Sequence, residues 1–308
     1  MGLVRTLLLQ ASKNRWMRER LPQFGFARRA VKRFMPGEDV DSALRAAQEL
    51  QSERVAAFVT YLGENVRDVN QTRRIAQQYC DAMEKIKAAG IDCEISVKPT
   101  QVGHDISTEL SYENIKTILR AASRLGNYVW IDMEESDYVD TTLELYRRLR
   151  KDYANVGICL QCYLRRTGDD LKALLPLKPG IRLVKGAYRE PADRAFPRKK
   201  DADENFLALS ALLIDAIHKG NARVGFATHD EKMLAKVVRL ARDRAISDDS
   251  YEIQMLYGIR NAALHKLAGA GHRGRILISY GPAWYPWYMR RLAERPANIL
   301  FVLRNVFG

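Results

Sequence analysis

An α/β fold of the (β/α)8 barrel type, TIM-like and carrying additional N-terminal helices, is what this sequence predicts. Three observations predict it. Short β-rich runs alternate with longer helical stretches from residue 50 onward, the runs number eight, and no Pro/Gly-rich linker divides the 308 residues. The chain therefore divides into a basic helical arm over 1–50 and a barrel over 51–308.

The runs fall at 55–61, 92–97, 128–131, 155–160, 181–184, 223–227, 251–255 and 275–279. Most are nearly continuous in Val, Ile, Leu or aromatic residues, as strands buried on both faces must be. Between them lie helix-like segments, clearest at 68–89, 112–125, 203–218, 232–243 and 259–268. Active sites of such barrels form where the strands end. In chain order those ends supply Glu64, Lys98, Asp132, Gln161, Arg182 with Lys185, Thr228 with His229, Gln254, and Tyr280. Turning chain alone accounts for polar ends of the Asn or Ser kind. Lysines, an arginine, an aspartate and a histidine converging on one mouth point instead to a site.

Composition narrows the class. Lys+Arg number 50 against Asp+Glu 37, a formal charge of +13, and hydrophobic residues make up 47%. Disorder and fibre are excluded by that balance. Four cysteines are too few for a disulfide scaffold, and the expected setting is a reducing cytoplasm. No window reaches the roughly 18 apolar residues of a spanning helix. Much of the excess charge sits in residues 1–40, where nine basic residues alternate with Leu, Trp16, Phe24 and Phe26. That segment reads as basic amphipathic helix, either a solvated arm or a contact for an anionic membrane surface. No zinc-finger or RNA-binding motif supports a nucleic-acid partner.

Two motif spellings fail on context. Gly269, Gly271 and Gly274 match GxGxxG, but a helix precedes them and a strand follows, the reverse of a dinucleotide loop. Cys159 and Cys162 form a CxxC on a strand without a second pair, so they read as buried thiols. Asp132, Glu134 and Glu135 lack a nearby histidine, and Lys98 and Lys185 would oppose a cation, so no metal is expected. Beyond the last strand, Trp284, Tyr288 and Arg291 fall on one helical face, and Glu294 can reach Arg290 or Arg291. The paired arginines can bind a small carboxylate beside an apolar wall, and the alternative is an aromatic packing stripe.

Six blocks carry a resemblance: SVKPTQVG at 96–103, WIDMEES at 130–136, LQCYLRR at 160–166, RLVKGAYRE at 182–190, ATHD at 227–230 and WYPWYMRRLAERPAN at 284–298. In this order they resemble monofunctional bacterial proline dehydrogenase, a flavin-dependent barrel. The resemblance implies oxidation of L-proline to Δ1-pyrroline-5-carboxylate, the first step of proline catabolism, with hydride passing to N5 of FAD. It implies a membrane quinone as electron acceptor, and pyrroline-5-carboxylate dehydrogenase as the downstream enzyme. With such an acceptor, the basic arm and the apolar run at 299–303 are the segments expected to dock this cytoplasmic protein peripherally at the inner face of the plasma membrane.

Residue by residue, the resemblance makes Lys98, Arg290 and Arg291 the holders of the proline carboxylate, with Glu64 gating through Arg290 and Tyr280 among the substrate contacts. Asp132 and Arg182 become the catalytic pair: Asp132 keeps Lys98 charged, and Arg182 stands near N5. Met133, Gln161, Val184, Lys185, Gly186, Ala187, Thr228, His229, Gln254 and Glu294, with Arg182, line the FAD. The sequence departs from the family at Leu277, where many members carry a tyrosine over the proline ring. The competing reading is a class I aldolase or transaldolase using Lys98 or Lys185 as a Schiff base.

Overall fold

In the computed structural model, residues 14–20, 24, 31–259, 261–285 and 287–289 are described. Eight parallel strands close into a barrel in chain order. They are β1 (Val55–Tyr61), β2 (Cys93–Val97), β3 (Val129–Ile131), β4 (Val156–Gln161), β5 (Gly180–Val184), β6 (Arg223–Ala227), β7 (Glu252–Leu256) and β8 (Arg273–Tyr280). Closure is made by β1 on β8, with Val55 opposite Gly274 and Tyr61 opposite Tyr280. Each strand lies where the apolar run predicts it, although β8 starts two residues before the expected 275. Arg273 and Arg275 break the apolar signal there: Arg273 opens the strand exposed, and Arg275 is buried on the face that points into the barrel rather than toward the helices.

The helices among the described residues are α1 (Arg15–Arg20), α2 (Val40–Ser52), α3 (Val69–Ala89), α4 (Thr108–Leu125), α5 (Val139–Asp152), α6 (Thr167–Leu174), α7 (Lys199–His218), α8 (Glu231–Arg242) and α9 (Asn261–Gly269). Side chains define their starts. Asp39 accepts from the Ser42 amide at 2.7 Å, Asp68 from Gln71 at 2.6 Å and Ser107 from Leu110 at 3.1 Å, satisfying amides that a helix start leaves open. The turn joining α9 to β8 carries Gly271, so the Gly269–Gly274 stretch is a helix end and tight turn.

Helix α2 departs from the arm expected over 1–50. Ala43, Leu44, Ala47 and Leu50 are buried in the same core as the strands, because the apolar stripe of α2 is needed to cover β1 and β8. Residues further upstream join a second cluster. Val31, Phe34 and Met35 pack with Leu62, Trp284, Tyr285, Trp287 and Tyr288, and Trp284 donates from Nε1 to Glu38 at 3.1 Å. Trp284 and Tyr288 are therefore packing residues here. Earlier in the arm, Trp16 is 65% exposed and Phe24 49%. Among the described residues no helix is long and apolar enough to cross a membrane.

The barrel interior is not the usual stack of branched apolar layers. At mid-height Phe58 and Trp130 meet edge to face at 6.1 Å. The Arg182 guanidinium lies 4.4 Å from the Phe58 ring and 5.0 Å from Trp130, on the side of the strand C-termini. Arg275 and Arg223 approach the same rings from the N-terminal side, at 5.0 and 5.3 Å. Charged layers thus sandwich an aromatic one.

Candidate active site

Toward the C-terminal ends of β2, β3, β5 and β7 five side chains meet inside the barrel. Lys98 Nζ donates to Asp132 Oδ2 at 3.1 Å. Ser96 Oγ and Arg182 Nη1 both donate to Asp132 Oδ1, at 2.8 and 3.0 Å. Arg182 Nη1 also reaches Ser96 Oγ at 2.8 Å, and Arg182 Nε donates to Gln254 Oε1 at 2.9 Å. The remaining guanidinium nitrogen, Nη2, is buried without a hydrogen-bond partner among the described residues. A buried donor left unpaired costs about 1–3 kcal/mol, so it is tolerated where something else completes it.

The charges are set by this arrangement. Burial alone would raise the Asp132 pKa, but Lys98 and Arg182 hold it below the ordinary carboxylate value. For Lys98 burial works the other way, and Asp132, with Tyr188, Glu64 and Glu134, raises its pKa above that of a free lysine. Lys98 is thus held as a cation. Two cations against one aspartate leave the cluster positive, the arrangement that receives a small anion.

Neighbouring side chains form two kinds of wall. Gln161 Nε2 donates to the carbonyls of Met133 and Glu134 at 3.2 and 3.1 Å, while Gln161 Oε1 is buried without a partner among the described residues. On the other side Val184, Ala227, Leu256 and Leu277 occupy the same inward-facing level of β5 to β8, and all four are only partly buried. They make an apolar crescent opposite the Lys98–Asp132 pair. Past β5, Gly186 has φ +113° and a Cβ there would stand 2.2 Å from the Tyr163 ring. Only glycine lets that loop pass so close.

Thr228 is buried and its hydroxyl accepts the Asp230 amide at 3.2 Å, and His229 Nε2 accepts the Leu256 amide at 3.4 Å. Lys185 lies 2.6 Å from Asp203 and 3.1 Å from Asp230, so a phosphate would have to draw it from two carboxylates. Glu64 and Ala187 are partly buried at the same end of the barrel.

Tyr280 does not face this mouth. It stands five residues after the inward-pointing Arg275 and so projects from the other side of β8, 3% exposed, with its ring 5.4 Å from Tyr61. Its phenol is buried in the strand–helix core, and that burial pushes its pKa well above the ordinary value. The expected substrate contact is corrected on that ground. Arg290, Arg291 and Glu294 lie outside the described residues.

Residues to which the sequence assigned no part in the site also stand here. Ser96 bridges Asp132 and Arg182 but is spelled like any strand hydroxyl. Glu134, 4% exposed, accepts the Thr100 amide at 2.9 Å and its hydroxyl at 2.7 Å, and burial pushes its pKa up to about 7. Tyr188, within the block at 182–190, is near enough to Lys98 to influence its charge. Cys159 and Cys162 are free and buried, and burial pushes each thiol up to about 12, so neither is a reactive thiolate.

A cavity of about 670 Å³ opens at the opposite, N-terminal end, lined by Asp92, Glu94, Asn127, Tyr128 and Arg223 among others. No buried polar side-chain atom of its lining lacks a partner. The mouth, not this cavity, holds the incomplete groups.

Fold and mouth together define a class: a (β/α)8 barrel enzyme whose C-terminal face carries an anion-receiving cation cluster beside an apolar wall. Comparison with known proteins gives the family. A family model described as proline dehydrogenase matches residues 43–304. Proline dehydrogenase 1 of Bacillus subtilis (strain 168) is 34% identical over 304 residues, covering 99% of both chains. Proline dehydrogenase of Deinococcus radiodurans is 36% identical over 281 residues, 90% of this chain and 89% of that one. Among solved structures, proline utilization A (PutA) from Bdellovibrio bacteriovorus, inactivated by N-propargylglycine, superposes with a TM-score of 0.82 at 22% identity, over 91% of this chain. This chain spans about a third (34%) of that structure, a likeness of fold.

The chain belongs to the proline dehydrogenase family and is an oxidoreductase of proline catabolism. The Schiff-base aldolase alternative falls with that match. At Lys98 it also fails chemically, since an amine nucleophile must be neutral and Lys98 is held charged.

Proposed function

We propose that this enzyme oxidises L-proline to Δ1-pyrroline-5-carboxylate with FAD as its resident cofactor, passing the electrons to a membrane quinone while docked peripherally through its basic arm. One observation carries the reading: the mouth holds two cations against Asp132 and leaves Arg182 Nη2 and Gln161 Oε1 buried without partners among the described residues. A flavin fits these residues, because its ring edge presents acceptors for an arginine and a donor for an amide oxygen. The half-buried Val184, Ala227, Leu256 and Leu277 supply the apolar contact a flat ring needs.

FAD, when bound, would supply the two-electron acceptor for the hydride of the ring carbon beside the proline nitrogen. The protein does the rest. Lys98, kept protonated by Asp132, pairs with the substrate carboxylate together with Arg290 and Arg291, and Glu64 closes on Arg290. Arg182 would place its fixed positive charge beside the cofactor ring, where it favours the electron-rich form. Met133, Gln161, Val184, Gly186, Ala187, Thr228, His229, Gln254 and Glu294 would hold the cofactor, and Lys185 would exchange its aspartates for the phosphates. The amine proton leaves to solvent, and the imine product goes on to pyrroline-5-carboxylate dehydrogenase.

The test is the visible spectrum of the purified protein, before and after anaerobic L-proline, followed by addition of quinone-loaded liposomes. Flavin bands that bleach with proline and return with the quinone support the whole reading. Bands that ignore proline remove the substrate. Absence of flavin after reconstitution with FAD removes the cofactor.

A further inference from the structure

Arg182 does not hold its position alone. Its Nε donates to Gln254 Oε1, and the other end of the same amide, Gln254 Nε2, donates to Glu252 Oε2 at 2.9 Å. A glutamine amide offers oxygen at one end and N–H at the other, and either can face a given neighbour unless something decides. Glu252 decides it. Burial alone would raise the Glu252 pKa, but Arg275 and Arg223 hold this carboxyl well below its ordinary value. As a carboxylate it only accepts, so the NH2 end of Gln254 must face it and the oxygen must face Arg182.

The consequence reaches the mouth. With Nε committed to Gln254 and Nη1 to Ser96 and Asp132, the guanidinium is fixed in its plane, and Nη2 is the nitrogen left over. The neighbouring strand is shaped for the same link. Gly225 on β6 pairs with Glu252 on β7, and a Cβ at Gly225 would stand 2.2 Å from Gln254 Nε2. A side chain there and the Gln254 amide in its present place exclude one another.

We propose that Glu252 is a positioning residue for the reaction: through the Gln254 amide it orients Arg182 so that Nη2 is presented to the cofactor edge. This rests on the flavin-dependent reading above. Glu252 touches neither substrate nor cofactor and acts from one layer deeper in the barrel.

The experiment measures kcat and KM for proline and the flavin reduction potential in holoenzyme carrying Glu252→Gln, Gly225→Ala, Arg182→Met, and each of the first two combined with Arg182→Met. Wild type is measured first, so that a protein without proline-reducible flavin is recognised as a failure of the parent reading. Both single substitutions should lower kcat by about tenfold or more, leave KM within about threefold, and make the flavin potential more negative. In the Arg182→Met background they should add almost nothing, because Arg182 is the group they act through. Equal losses of kcat in both backgrounds would mean a merely structural role and overturn the proposal. Should Glu252→Gln not fold, Gly225→Ala decides alone, since it displaces the amide and leaves the Glu252–arginine contacts in place. An unchanged kcat and potential in that variant also overturns it.

Discussion

The two ends of the barrel interior are built from the same chemistry and finished differently. At the N-terminal end Arg275 donates to Asp92 at 2.8 Å and lies 3.3 Å from Glu252 and 3.4 Å from Glu94. Arg223 bridges Glu94 and Glu252 at 2.7 and 2.8 Å, and Trp130 Nε1 caps the other Glu94 oxygen at 2.7 Å. Three carboxylates face two guanidiniums there, and none of these side chains has a buried polar atom without a partner. At the C-terminal end the sign is reversed, with Lys98 and Arg182 against Asp132, and Arg182 Nη2 and Gln161 Oε1 are left open among the described residues. A closed network is structure, and an open one of the same residues is a receptor. What separates them is not how polar or how buried they are but whether their hydrogen bonds close without a ligand.

The largest effect expected from that contrast is in stability. Arg275→Met strands buried carboxylates and should cost about 3–5 kcal/mol, seen as a large fall in Tm. Lys98→Met leaves Asp132 with Arg182 and Ser96. It should cost far less in Tm while raising the proline KM by about tenfold or more, because an incoming carboxylate loses its cation. Equal falls in Tm would erase the distinction between the two ends.

A somewhat smaller effect is in pH dependence, where the two ends should slope in opposite directions. Glu134, at the mouth, has its pKa raised from 4.5 to about 7. Between those values the unfolded chain releases a proton that the folded chain retains, so this group's stabilisation is full below 4.5 and is lost as pH rises to 7. Glu252 has its pKa lowered, so its stabilisation is present above 4.5 and is lost as pH falls below it. Tm measured across pH should show Glu134→Gln gaining on wild type from pH 4.5 to 7 by roughly 2 kcal/mol, an order-of-magnitude figure. Parallel curves for variant and wild type would place an already ionised carboxylate at the mouth.

The closed end was also the harder one to read in the sequence. Apolar runs announced all eight strands, and the polar residue ending each run marked the mouth, so Lys98, Asp132, Gln161 and Arg182 were legible as a set. Glu94, Arg223, Glu252 and Arg275 sit at or near strand starts, where a charged residue looks like solvent-facing chain. Their burial depends on mutual pairing across the barrel, which spacing along one strand does not encode. Tyr280 fails for a related reason. It ends β8 as the family pattern suggests, but the two-residue alternation counted from Arg275 turns it outward. That count needed the inward face of β8 to be known, and an arginine inside a barrel gave no hint of it.

The same count brings Leu277 inward and makes it the smallest and sharpest test of the open end. It stands two residues above Arg275 and beside Leu256, partly buried at the level of Val184 and Ala227, where the resemblance leads one to expect a tyrosine. A leucine offers a proline ring apolar contact and no hydroxyl, so it neither hydrogen-bonds nor strongly rejects a ring that carries one. A pocket lined this way separates the two substrates weakly, on the order of 1–3 kcal/mol at most. Leu277→Tyr should therefore change the ratio of kcat/KM for L-proline over trans-4-hydroxy-L-proline by a factor of up to about ten, in favour of proline, with Tm nearly unchanged. The change should lie in KM rather than in kcat, because Lys98, Asp132 and Arg182 sit on other strands and keep their contacts. A ratio unmoved by the tyrosine would put Leu277 outside the substrate pocket, and would shift the apolar crescent from substrate recognition to cofactor support alone.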